Sequence, residues 1–463
     1  MIVNKDDIRS DFARDRDKII HSSAFFRLSG KTQVFMSPRN PLISSRMTHV
    51  IQVSQIAKSI ARGIDANEDL TEAIALGHDL GHAPFGHSGE EILSKKCQEI
   101  GLPKFKHNVH SLRVVDVIEK NGCGLNLTWE VREGIICHDG EVKEGEIRPY
   151  LQRTVQEVEK YTPDDYKKPS STIEGCIVKI SDKIAYIGKD IEDAIEAGLL
   201  KKEELPKEYC DVLGYTNTEI INTLVQDIIT NFHEDLDKFR KEHGRDPKRD
   251  EISIRLSPRV REAMDGLIFD FNYHKIYLSK TNKQYSAQTE AIISDVFDFF
   301  YKEAKSLKYA KQERALHTFG EIEETIPEAL FKNLLATKTL SEVEETAKDI
   351  EKGFSEENFI SLLPEKYKEK AKSFFETHTL AEVKKEILDA LLKVKMEILQ
   401  SNIEKWKRDQ PRLPSILSFL NGKSGEYLIQ TSVGEYVKDY VASLTDRTAI
   451  EIFKAIKIPE SIV

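Results

Sequence analysis

Between Thr172 and Ala197 the chain carries isoleucine at positions 173, 177, 180, 184, 187, 191 and 195. Steps of three and four residues put all of them on one stripe of an α-helix and on no single face of a strand. So regular an apolar stripe needs other helices to cover it, and the expected fold class is all-α. At about 100° per residue, Asp182, Lys183, Tyr186 and Asp190 fall within about 100° of one another elsewhere on the helix surface. A solvated face is one reading of that group. A functional face is the other, because the group includes an aromatic ring and a possible metal ligand. On this helix alone the two stand equal.

Helical periodicity continues in both directions. Val50, Val53, Ile56, Ala57, Ile60 and Ile64 recur at helical steps, so His49 is expected to open a helix. Asn67 is placed to cap a short helix ending at His78-Asp79, and Ser88-x-x-Glu91 has the spacing of a capping box at the start of another. Residues 203–260 mix helix with charged loops, 285–305 read as an amphipathic helix, and from 306 onward the chain is Lys/Glu-rich amphipathic helix. The expected division is a helical-bundle core over 1–305, with an insertion around 203–260, and a C-terminal helical region over 306–463.

Net charge is −10, which argues against general nucleic-acid affinity, yet from Ile19 to Ile64 there are six Lys/Arg and no acid. That segment is read as a local anion site or a basic surface patch. No apolar run approaches the roughly 18 residues of a membrane span, and the start has no signal-like apolar stretch. Five scattered cysteines without a Cys-x-x-Cys spacing read as reduced, so the expected location is cytoplasmic.

The chemistry concentrates in Ala75-Leu-Gly-His-Asp-Leu-Gly-His-Ala-Pro-Phe-Gly-His-Ser-Gly-Glu-Glu91. His49, His78, Asp79 and Asp182 make a set of two nitrogen and two carboxylate donors. Such a set suits one divalent ion among Mn, Fe, Co, Zn or Mg, with positions left for water and substrate oxygen. Donors so far apart in sequence converge only inside a helical bundle. Histidine is the usual acid or base near neutral pH, and a neighbouring carboxylate holds it charged. His82, His138 and His21 read as core or supporting histidines. His233, His243, His274, His317 and His378 have no partner pattern.

Several separated segments together resemble one family. They are Arg16-Asp17-Lys18-Ile19-Ile20-His21-Ser22-Ser23-Ala24-Phe25, Lys31-Thr32-Gln33-Val34-Phe35, Arg46-x-Thr-His49, the His78-Asp79 stretch, His107-Asn108-x-x-Ser111-Leu112-Arg113, Asp182-Lys183-x-x-Tyr186, and Asp439-Tyr440 with Leu444-Thr445-Asp446-Arg447. The chain resembles the deoxyguanosine-triphosphate triphosphohydrolases among the HD-domain metal-dependent phosphohydrolases. That resemblance implies a metal held by His49, His78, Asp79 and Asp182, a catalytic pair His87–Glu90, and His107 beside the phosphates. It implies phosphate contacts from Arg46 and Lys183, and Gln33 and Asp190 on the deoxyribose 3′-hydroxyl. Tyr186 would pack where a 2′-hydroxyl would clash.

The implied activity is conversion of dGTP, and of other dNTPs, to deoxynucleoside and inorganic triphosphate. The implied partners are that substrate, a nucleotide effector and further copies of the chain in an even-numbered homo-oligomer, with no membrane. The basic segment also carries Phe25, Phe26, Val34, Phe35 and Met36, apolar groups that call for cover, so residues 19–45 are expected near the interface. The rival readings are another HD-type phosphohydrolase (a 5′-deoxynucleotidase or a guanosine tetraphosphate hydrolase) and a nucleotide-sensing regulator. The chain departs from the family at Phe26, where a second arginine is usual, at Gln52 and at His110. Phe269 to Tyr277, with Tyr273, resembles the base-pocket region only weakly.

Overall fold

The computed structural model describes residues 8–35, 42–140, 145–154, 158, 168–307, 338–353, 355, 360, 369, 379–409 and 415–457. Met36, Arg39, His317 and His378 lie outside the described residues. The protein is all-α; its described strands are one short antiparallel pair, Glu146–Ile147 with Ile254–Arg255. The helices that build the site are α1 (Asp11–Ile20), α2 (Ser23–Arg27), α3 (Arg46–Gly63), α4 (Glu68–Gly77), α5 (Gly86–Glu99), α6 (His107–Arg113), α7 (Trp129–Cys137) and α8 (Ile173–Glu196).

The isoleucine stripe of α8 is what the bundle closes on. Thr172 caps the helix by accepting the Gly175 amide at 3.1 Å. Ile177, Ile184 and Ile187 are fully buried where α8 packs on α3, α4 and α7. Each such side chain contributes about 1.5–3 kcal/mol on burial. The crossing of α4 and α7 is tight. A Cβ on Gly77 would come 2.6 Å from Ile135 Cδ1, and one on Gly134 would come 2.4 Å from Ile74 Cδ1. His78-Asp79 after α4 and His138 after α7 are therefore pressed towards each other.

Helix starts follow their caps. Asn67 accepts the Leu70 amide at 3.0 Å, as expected for α4. The helix expected to open at His49 starts at Arg46, because Ser45 Oγ accepts the Thr48 amide at 3.3 Å. α5 starts at Gly86 and not at Ser88. Phe85 sits in the left-handed region at φ 64°, and Ser88 Oγ lies 3.0 Å from Ser286 Oγ, so the Ser88–Glu91 capping box does not form.

Among its described residues the basic segment is not an open cationic patch. Arg27 pairs with Glu119 at 3.3 Å, Lys58 with Glu72 at 3.1 Å and Arg62 with Glu68 at 2.6 Å. Lys31 and Arg46 are buried. Acids elsewhere in the chain neutralise what looked unbalanced in sequence.

Two compact units emerge. One is Met1–Ser294 with Val441–Glu451, the other Asp295–Tyr440 with Ile452–Val463. The second has helices Leu340–Lys352 and Leu380–Asp409 packed through Val343, Ile350, Val394 and Ile398. Its buried Lys395 donates to the Ile429 and Thr431 carbonyls at 3.0 and 2.7 Å and pairs with Glu344 at 3.0 Å. Among the described residues, every cluster of candidate metal donors lies in the first unit.

Candidate metal centre and active site

Arg46 and His49 sit one turn apart at the start of α3 and both point into the bundle, 2% and 3% exposed. His78 follows α4. Its Nδ1 donates to the Ala75 carbonyl at 2.7 Å, which fixes the tautomer and leaves Nε2 with a free lone pair. That Nε2 is buried and has no hydrogen-bond partner. Around it, Asp79 Oδ1 lies at 3.6 Å and Asp182 Oδ1 at 3.8 Å, and His49 Nε2 is 2.8 Å from the same Asp182 oxygen. A buried, tautomer-fixed nitrogen facing two carboxylates is an unmet donor that a divalent cation satisfies. The residues present thus fit a metal.

The local field keeps the carboxylates charged. Burial pushes Asp79 up, but the Arg46 guanidinium beside it outweighs burial and holds the carboxyl well below the ordinary range. Arg46 Nη1 pairs directly with Asp79, while its Nη2 has no partner. Asp182 is likewise held down, its burial overridden by His49 and His78.

Beside this set lies a second group. Glu90 on α5 accepts from the His107 amide at 3.1 Å and from His107 Nδ1 at 2.9 Å. His138 Nδ1 donates to the Ile135 carbonyl at 2.7 Å, so its Nε2 is an acceptor, and it stands 3.2 Å from His107 Nε2. His107 therefore donates from both ring nitrogens and is an imidazolium. Burial alone would lower its pKa; the Glu90 carboxylate wins and raises it to about 9. His138, buried beside His78 and His107, falls to about 4 and stays neutral. The His107 ring stacks on His82, centroids 4.3 Å apart. His87 lies at the rim with its side chain 84% exposed, and its Nδ1 is 3.9 Å from Glu90 Oε2. The carboxylate expected beside His87 is thus bonded to His107 and is only near His87.

Further along α8, Asp190 is buried and accepts the Tyr277 hydroxyl at 2.6 Å. Burial lifts its carboxyl to about 7 despite that bond. Tyr186 and Lys183 are half-buried on the same helix. Gln33 is half-buried, and its Oε1 has no partner. Tyr277 ends a π-helical stretch, Gly266–Tyr277, and Tyr273 is 47% exposed.

Sequence reasoning set His138 aside as a core or supporting histidine, although His138-Asp139 repeats the dipeptide of His78-Asp79. Tyr277 figured there only as the end of the weakly resembling segment Phe269 to Tyr277, with no partner assigned to it.

The HD domain family matches residues 46–187, from the first turn of α3 into α8. The protein is an HD-domain protein, with all four of the expected metal donors inside the match. A deoxyguanosinetriphosphate triphosphohydrolase-like protein of Caldanaerobacter subterraneus subsp. tengcongensis is 43% identical over 297 residues, 64% of this chain and 74% of the relative. One from Clostridium tetani is 39% identical over 305 residues, 66% and 77%. One from Geobacter metallireducens is 34% identical over 330 residues, 66% and 82%. The chain belongs to the deoxyguanosinetriphosphate triphosphohydrolase-like family and is a phosphohydrolase. Among the described residues no helix is long and apolar enough to cross a membrane.

Proposed function

We propose that the chain is a metal-dependent dNTP triphosphohydrolase that converts dGTP, and other dNTPs, to deoxynucleoside and inorganic triphosphate. The observation that carries this reading is the placing on α8 of Asp182, held charged beside His49 and His78, two turns before a buried Asp190 that accepts the Tyr277 hydroxyl and whose carboxyl rises to about 7. Eight residues rise about 12 Å, so side chains from the two ends can reach a phosphate and a sugar of one substrate. The names of the relatives support the same substrate class.

His49, His78, Asp79 and Asp182 would hold the ion, which when bound would polarise a phosphate oxygen and make water a better nucleophile. Arg46, with one guanidinium nitrogen engaged by Asp79 and another unpartnered, offers the latter to a phosphate oxygen. Lys183 adds a second cation. Water attacks the α-phosphorus and gives up a proton to solvent as the bond to the 5′-oxygen breaks, and that oxygen must gain a proton in turn. Glu90 keeps His107 charged, so His107 stabilises the growing negative charge. His87, exposed at the rim, exchanges protons with solvent and serves the leaving oxygen. Gln33 and Asp190 bind the 3′-hydroxyl, and Tyr186 fills the space of a 2′-hydroxyl.

We also read the chain as a cytoplasmic, even-numbered homo-oligomer with a nucleotide effector. All five cysteines are free thiols, and Phe26 and Leu42, 61% and 66% exposed, offer apolar cover for a second copy in the 19–45 region. The test of the activity is turnover of the four dNTPs and of GTP, with and without added Mn, Co, Zn or Mg. Metal-dependent dNTP turnover with GTP far slower is expected. Equal GTP and dGTP rates favour another HD-type phosphohydrolase, and binding without turnover favours a sensor.

A further inference from the structure

Asp446, from the late Leu444-Thr445-Asp446-Arg447 block, has no part in the donor set, yet it is 2% exposed inside the catalytic unit. Its Oδ2 accepts the Thr32 amide at 3.0 Å and also the Thr32 hydroxyl. Its Oδ1 accepts the Phe85 amide at 2.8 Å. A few residues earlier, the Ala442 carbonyl accepts Lys31 Nζ at 2.8 Å, and the same ammonium donates to the His82 carbonyl. The fit admits no extra atom: a Cβ on Gly30 would stand 2.8 Å from Thr445 Cγ2. Residues 442–446 thus stitch together two segments far apart in sequence.

Each stitched segment carries a site residue. Thr32 immediately precedes Gln33, and its carbonyl accepts Arg46 Nε at 3.3 Å. Phe85 stands two residues before His87. Its left-handed φ of 64° is uncommon for a large side chain and persists only where the surroundings over-determine it. The bond from its amide to Asp446 supplies that constraint.

We infer that Asp446, assisted by Lys31, is a positioning residue that fixes the Gln33 strap and the Phe85–Gly86–His87 turn relative to each other, so that sugar contact and proton transfer act on one substrate. This rests on the proposed activity. It assigns Asp446 no contact with substrate; the effect passes through Gln33 and His87. A bond network that only added stability would lower the melting temperature and leave these two residues' contributions independent of it.

The experiment uses the full chain as D446A and T32V, with R447A as a control, since Arg447 is 85% exposed and bonded to Glu451. In D446A, kcat/KM for dGTP is expected to fall by roughly 10- to 100-fold, with metal content unchanged. In a Q33A background the KM part of that loss is expected to disappear, and in an H87A background the kcat part. R447A is expected within about twofold of the parent. T32V, which removes one of the three donors, gives a smaller loss with the same pattern and replaces D446A if that variant does not fold. Amide exchange of segments 31–35 and 82–88 is expected to quicken in either variant while α8 stays unchanged. Unchanged exchange in those segments overturns the inference whatever the substrate, as do losses that multiply fully with Q33A and H87A. Failure of the parent chain to turn over any dNTP overturns the proposed activity instead, and the exchange readout still decides the positioning role.

Discussion

Asp182 and Asp190 lie on one helix, two turns apart, and their environments drive them in opposite directions. Asp182 faces two histidines, and its carboxyl stays well below the ordinary range. Asp190 has as its nearest partner a neutral hydroxyl, that of Tyr277, and its carboxyl rises to about 7. The same side chain is thus a charged donor at one end and a hydrogen-bonding group at the other. What separates them is the neighbours that other helices supply: α3 and the end of α4 beside Asp182, the π-helical stretch beside Asp190. The contrast suits the proposed roles: a fully charged carboxylate for a cation at one end, and at the other a carboxyl that ionises only near neutrality for a sugar hydroxyl.

Five substitutions break or sharpen that contrast. The largest effect is expected at the charged end. Asp182→Asn keeps the shape and removes the charge, so bound metal is lost and turnover falls by roughly 10³-fold or more, with helix content kept; metal analysis beside kinetics reads it. An Asp182→Asn protein with full metal and full activity would refute the assignment of that end.

Next is the histidine group. His87→Ala is expected to bind metal and dNTP and to turn over about 10²–10⁴-fold more slowly. Glu90→Gln removes the charge that lifts His107 to about 9. His107's raised pKa contributes stability that is complete below its ordinary value near 6.5 and disappears as pH rises through about 9. In Glu90→Gln the alkaline fall of kcat should therefore move down towards neutrality. An unmoved alkaline limb would separate Glu90 from His107's protonation.

At the sugar end the effects are smaller. Tyr186→Ala is expected to narrow the preference for dGTP over GTP by about tenfold, read as a ratio of kcat/KM values; an unchanged ratio removes Tyr186 from sugar choice. The smallest effect is on stability. Asp190 is a carboxyl whose folded pKa is raised, so its contribution is full below the unfolded value and is lost as pH rises to about 7. Asp190→Asn should hence gain melting temperature relative to the parent between pH 5 and 8, and little at pH 4. A gain independent of pH would mean that ionisation of Asp190 does not burden the fold.

Much of this was legible in sequence, for identifiable reasons. The isoleucine stripe gave α8 to within a residue, because a buried helix face leaves a period of its own. Asn67 capped α4 because an N-cap is a local interaction. The ends of α3 and α5 were misplaced. Ser45 precedes the apolar pattern by several residues, and α5 is started by a left-handed Phe85 whose amide is held by Asp446 from 361 residues away. Long-range bonds of that kind have no local signature. The second partner of Glu90 was unreadable for the same reason: spacing on α5 puts Glu90 near His87, and it lies 3.9 Å away, but nothing along the chain says that the carboxylate also bonds to His107 across the bundle. The acid-free basic segment misled because charge balance in space is not charge balance along the chain, and Glu68, Glu72 and Glu119 lie outside it.

The central claim is hydrolysis at the α-phosphorus with the sugar end and the metal end serving one substrate. It is tested most directly by supplying dGTP and a divalent metal in ¹⁸O-labelled water and separating the products. The account predicts equal amounts of unlabelled deoxyguanosine and of inorganic triphosphate carrying the label. Release of orthophosphate or pyrophosphate, or label in the deoxyguanosine, would contradict it.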